Sequence, residues 1–173
     1  MQVSEKTLEL NVGAELLDQF RNGLGMTKAY LRGLTQREEK QEGADFILRL
    51  GPQARFFAFQ FKAPKGKLEG NPYRFTIQRE QHDALFALAQ LASNSVFYVF
   101  PRYVTINKLR QDLPNLMTDT WLLGVDQMIP PALFGPAATK TVRCEGTQAS
   151  VNPEYGTAFR SEERRVGKEC RSR

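Results

Sequence analysis

Residues 55–62 place Phe57, Phe59 and Phe61 on one side of an extended chain and Ala58, Gln60 and Lys62 on the other. No helix accommodates that period, so this segment reads as a strand whose aromatic face must be buried. The apolar stretch at residues 45–50 and the turn residues Gly51-Pro52-Gln53-Ala54 precede it, and together they predict a β-hairpin. The hairpin is the fixed point around which the rest of the chain must pack.

Before it, Ser4 as N-cap, Glu5 in the first turn and Leu8, Val12, Leu16 and Phe20 at every fourth position predict an amphipathic helix over residues 4–21. Gly13 either sits inside that helix or divides it, with Asn11 capping the second piece. Thr35 with Glu38 in a capping-box spacing and Gly43 as a stop predict a short second helix. After the hairpin, residues 63–73 read as a basic loop. Residues 78–92 form a helix with Leu85, Leu88, Ala89 and Ala92 on one stripe, and Asn94 ends it. The apolar run at residues 96–100, closed by Pro101, has the composition of a strand buried on both faces in mid-sheet. A short helix at residues 107–112 and outer strands at 121–125 and 139–144 complete the pattern. The expected class is α/β: a sandwich with a single core.

Length and composition agree. The chain has 173 residues, 41% hydrophobic and 25% charged, enough for about one domain. No apolar run reaches a membrane span, and the N-terminus lacks a basic-then-apolar leader, so the expected location is the cytoplasm. Cys144 and Cys170 are too few for a structural zinc site, and reduced thiols are expected. Neither Ser93 nor Ser95 lies in a nucleophile-elbow context, Cys144 has no motif, and no glycine-rich loop opens a helix after a strand. Serine or cysteine hydrolase chemistry and ATP binding are therefore not indicated.

The net charge of +5 is unevenly placed. Residues 160–173 carry six Lys/Arg and three Glu and resemble the in-frame translation of a DNA sequencing adapter, the alternative being a solvated basic tail. The expectation is a single domain over residues 1–159, truncated at its C-terminus, followed by a non-native tail. Within that domain, residues 49–110 hold ten Lys/Arg against Glu69, Glu80 and Asp83, which suggests a polyanionic partner or a basic surface serving solubility.

A hairpin brings the start of its first strand beside the end of its second. Asp45 and, fifteen and seventeen positions later, Gln60 and Lys62 are then expected to share one small volume. The Asp45 carboxylate, the Gln60 amide oxygen and the strand carbonyl at Phe61 are suitable ligands for a hard divalent cation, magnesium or in its place manganese. Lys62 would orient the attacking water and offset phosphate charge in phosphodiester hydrolysis.

The pattern Gly43-Ala44-Asp45, fourteen residues, Gln60-Phe61-Lys62 resembles the PD-(D/E)XK nuclease superfamily. The resemblance covers residues 4–101, and the helix and buried strand after the hairpin fit that group's order. Two positions depart from it: no proline precedes Asp45, and Gln60 replaces the usual acid, as in the Mrr-like branch of methylation-dependent enzymes. The resemblance implies a restriction-endonuclease-like three-layer sandwich, a mixed central sheet flanked by helices. It also implies a magnesium-dependent nuclease acting on nucleic acid, DNA foremost, in a restriction or defence role and working as a homodimer on duplex. A further glutamate on a preceding helix is common there; Glu39 is the preferred candidate and Glu9 the second. Lys65, Lys67, Arg74 and Arg79 would contact phosphates. His82, at the margin of the long helix's apolar stripe, is assigned to packing first and to substrate contact second. The competing expectation is a catalytically silent module, binding nucleic acid or protein, that lost an acid at position 60. A third is a mere strand edge with Asp45 and Lys62 pointing apart.

Overall fold

The computed structural model describes residues 1–51, 56–65, 73–128, 138–145, 148–151 and 158–160, the last two segments as backbone only. Helix α1 (Glu5–Asp18) starts at Ser4, whose hydroxyl accepts the Thr7 amide, and runs on into a π-helical turn, Gln19–Gly23. Gly13 does not divide it. A Cβ there would stand 3.2 Å from the Phe46 ring, so the glycine lets the helix axis come close to the sheet. Strand β1 (Tyr30–Gly33) follows, then α2 (Gln36–Glu42), where Thr35 and Glu38 form the reciprocal capping box and Gly43 takes a left-handed conformation at φ +73°.

Strands β2 (Phe46–Arg49) and β3 (Phe56–Phe61) pair antiparallel, Phe46 opposite Phe59, as the alternation predicts; the turn residues 52–55 lie outside the described part. Strand β5 (Val96–Pro101) lies parallel to β3 with Gln60 opposite Tyr98, and β6 (Thr120–Gly124) pairs antiparallel with β5. The result is a mixed five-stranded sheet in the order β1-β2-β3-β5-β6, with β5 inside it as expected of a doubly buried strand. Asn94, at φ 56°, ends the turn that follows helix α3 (Arg79–Leu91). Helix α4 (Ile106–Gln111) is capped by the Thr105 hydroxyl.

Three expectations are corrected. Residues 73–78 form a strand, β4 (Tyr73–Gln78), where the sequence reading placed only the end of a loop and the start of a helix. Phe75 and Ile77 are buried while Arg74 and Gln78 are exposed, a period-two signal too short to stand out beside the basic residues. Strand β7 (Thr139–Glu145) is not an outer strand: it pairs with β4 and with β8 (Gln148–Val151), and β9 (Ala158–Arg160) completes a second, antiparallel sheet in the order β4-β7-β8-β9. The core is also double. Leu8, Val12 and Leu16 of α1 and Phe20 of the turn after it pack with Phe46, Leu48, Phe59 and Phe61 on one face of the five-stranded sheet. Leu85 and Ala89 of α3, with Phe75, Ile77 and Val142 of the second sheet, pack with Ile47, Ala58, Tyr98 and Phe100 on the other.

Two contacts tie these layers together. The Arg102 guanidinium lies 5.4 Å from the Trp121 ring of β6 and 5.9 Å from the Tyr73 ring of β4, and it pairs with Asp119. At the other end, Gly43 lets α2 meet the first turn of α3: a Cβ at position 43 would come 2.7 Å from the Gln81 carbonyl oxygen and 2.9 Å from Leu85 Cγ. Gly43→Ala therefore combines left-handed strain with a clash against backbone. The expected loss in denaturant unfolding is more than about 2 kcal/mol.

Candidate functional site

Asp45 stands immediately before β2, and its amide donates to the Phe59 carbonyl, which continues the hairpin register by one residue and places Asp45 beside Gln60. Its carboxylate oxygen Oδ2 accepts two hydrogen bonds, from the Phe61 amide at 2.6 Å and from Gln60 Nε2 at 2.8 Å. Gln60 Nε2 also donates to the Phe61 carbonyl at 2.9 Å, and Gln60 Oε1 accepts from Gln81 Nε2 on α3 at 2.7 Å. Gln60 is 1% exposed, so this amide meets protein groups in place of water. Lys62 is 9% exposed, and its amide donates to Val99 on β5.

Burial pushes the Asp45 carboxyl up to about 7. The hydrogen bond from Phe61 and the Lys62 charge pull it down, and Glu9 and Glu5 push it up. These glutamates belong to α1, whose first turns reach over the same end of the sheet. Glu5 Oε2 accepts the Ala63 amide at 2.9 Å, and Glu9, with a side chain 11% exposed, accepts from Lys6 Nζ at 2.6 Å. The bond to Glu9 raises the Lys6 ammonium, with smaller contributions from the charges of Glu39 and Asp45.

Of the residues anticipated, Asp45, Gln60 and Phe61 are in direct contact, and Lys62 is near enough for its charge to act on Asp45. Glu9 acts on Asp45 itself, whereas Glu39 acts on Lys6. Lys65 and Arg74 are exposed and adjoin, the Lys65 amide donating to the Arg74 carbonyl. Arg79 Nε lies 3.7 Å from Asp83, and Lys67 lies outside the described residues. His82 is fully buried, stacked on Tyr98 with ring centroids 6.0 Å apart, which puts it in the core. Cys144 is buried too, which pushes its thiol up to about 12, and a thiol so held is unreactive.

Two members were missed: Gln81 and Glu5. Gln81 carried a readable signal, because it lies one turn before Leu85 on the apolar stripe of α3, and an amide on a buried stripe needs a partner. Glu5 reads in the sequence only as support for the helix start.

Two oxygens, Asp45 Oδ2 and the Phe61 carbonyl, converge on the point now held by Gln60 Nε2. Among the described residues no three His, Cys, Asp or Glu side chains gather to hold a metal. The oxygens that could face a hard cation here are one carboxylate, one main-chain carbonyl and, were the amide turned, that of Gln60. No protein-family model matches the chain, and no curated protein matches its sequence. Among the described residues no helix is long and apolar enough to cross a membrane.

The raised Asp45 carboxyl has a consequence for stability. Between its ordinary value of 3.8 and about 7 the folded chain holds a proton that the unfolded chain releases. Its contribution to stability is full below the unfolded value and is lost as pH rises through the folded one. Asn at this position keeps an acceptor for Phe61 and carries no charge. The expected Tm difference between Asp45→Asn and the wild type is therefore smallest at pH 5 and largest, in favour of Asn, at pH 8, as read by thermal melts across that range.

Proposed function

We propose that the chain is a metal-dependent nuclease acting on nucleic acid, DNA foremost, on a restriction-endonuclease-like fold of the PD-(D/E)XK kind. The observation that carries this reading is the meeting of the Asp45 carboxylate and the Phe61 carbonyl at one buried amide, with Lys62 near enough for its charge to act on Asp45. Asp45, the Phe61 carbonyl and the Gln60 amide oxygen would hold magnesium or manganese, with Glu9 or Glu39 contributing from the neighbouring helices. Bound there, the cation supplies Lewis-acid polarisation of the phosphate and neutralises charge on it. Lys62 orients the attacking water and offsets charge as the phosphorus–oxygen bond breaks. Lys65 and Arg74, adjoining and exposed, hold the backbone phosphates, with Arg79, and Lys67 of the neighbouring sequence, as further contacts. Cutting both strands of a duplex with one such site per chain calls for a pair of chains.

A second reading has an observation of its own. Gln60 Nε2 donates to both oxygens, so a hydrogen-bond donor stands where a cation site would need its third oxygen. That favours a silent module which binds nucleic acid through its basic edge and cuts nothing.

Incubation of the full chain with labelled duplex and single-stranded DNA separates the two. The nuclease gives cleavage that needs magnesium, stops with chelator and falls about 100-fold or more in Lys62→Ala, whose water is no longer oriented. Salt-sensitive binding without cleavage, indifferent to chelator, means the silent module.

A further inference from the structure

We propose that Gln81 is a positioning residue that sets the polarity of this site: the Gln60 and Gln81 amides turn together, and a divalent cation binds only when both have made a half-turn. The inference rests on reading Asp45, Gln60 and Phe61 as a cation site.

In the structure Gln60 Nε2 bridges Asp45 Oδ2 and the Phe61 carbonyl, at 2.8 and 2.9 Å, and Gln60 Oε1 faces Gln81 Nε2 at 2.7 Å. A carboxamide has an oxygen and an NH2 of nearly the same size, so a half-turn exchanges acceptor for donor without changing the volume filled. Turning Gln60 alone sets its oxygen against two other acceptors and its NH2 against the NH2 of Gln81. Both encounters are repulsive. Turning both amides keeps the contact between them, now from Gln60 NH2 to Gln81 oxygen. It leaves three oxygens, from Asp45, Gln60 and Phe61, adjacent to one another with no donor between them, an arrangement that a cation coordinated beside them reconciles.

Gln81 can make this turn without losing a bond elsewhere. Its Oε1 is buried and, among the described residues, has no hydrogen-bond partner. The end of the amide that faces away from Gln60 is therefore not held in either sense, and the Gln60 contact alone decides the orientation. The Gln81 main chain, by contrast, is fixed against Gly43 in the first turn of α3. The side chain turns while its anchor stays.

The test uses the full chain and Mn2+ as probe, titrated by electron paramagnetic resonance. Gln81→Glu offers only acceptors, holds the Gln60 NH2 toward itself, and is expected to tighten Mn2+ binding about tenfold; Gln81→Lys offers only donors and is expected to weaken it by about as much. A plain charge effect acts equally whatever stands at position 60, whereas loss of the amide's polarity in Gln60→Glu should shrink both effects to less than half. Effects of full size in that background overturn the proposal. In the wild type, diamagnetic Mg2+ followed by NMR should shift the side-chain NH2 signals of Gln60 and Gln81 with one midpoint and remove the Gln60 NH2 contact with Phe61. Saturation by Mg2+ with that contact intact overturns the coupled turn and leaves the cation site standing. If neither the wild type nor Gln60→Glu binds Mn2+ or Mg2+, the cation site fails, and the proposal with it.

Discussion

The burial of β3 on both faces governs the rest of the molecule. Phe59 and Phe61 point into the cluster under α1, Ala58 points into the cluster under α3, and β2 and β5 occupy both edges. A strand in that position has no water for a polar side chain. Gln60 nonetheless lies there, and every amide atom it carries must find protein. Its three partners, Asp45, the Phe61 carbonyl and Gln81, come from the end of a helix–strand turn, from its own strand and from α3. The close approach at Gly43, which ends α2 just ahead of β2, and the helix–sheet packing at Leu85 serve to bring these three together. An apolar residue at position 60 would relieve the need for all of it, which makes the buried amide the feature that most requires an account.

Charge reinforces the geometry. The end of α1 carries Glu5 and Glu9 toward Asp45, and Lys62 opposes them, so the carboxylate lies between two acids and one base in a region poor in water. Electrostatics of that kind disfavour a bare anion and favour a positive partner of some sort, be it a proton, an amide donor or a cation. The Lys65–Arg74 edge is different in kind. It is exposed and its charges are screened by salt, so the attraction to a polyanion proposed for it would be diffuse and sequence-blind.

Much of this was legible in the chain. Ser4, Thr35 with Glu38, and Gly43 mark helix ends by chemistry that acts within a few residues, and the structure places each as expected. The phenylalanine alternation fixed the hairpin, and with it the meeting of Asp45 and Gln60, because a hairpin's register follows from its own sequence. What escaped depends on contacts between distant segments. Strand β4 has partners more than sixty residues later in β7, and neither carries a local pattern that announces a second sheet. His82, read as a packing residue from its place beside the apolar stripe, is indeed enclosed, although its partner Tyr98 comes from another element. The field of Glu9 on Asp45 likewise depends on how α1 crosses the sheet.

The parallel pairing of β3 with β5 divides the contacts of the constellation into local and long-range ones. Asp45 and Gln60 are joined by a short hairpin whose closure costs little chain entropy, whereas Lys62 is fixed through its amide to Val99, reached only after β4 and α3 have been traversed. Gln81 comes with that same crossover. The carboxylate half of the constellation therefore rests on contacts close in sequence, and the Lys62 main chain and Gln81 on contacts that only the completed crossover supplies. A break in that crossover would leave the acid beside its amide and cost the site its other two anchors.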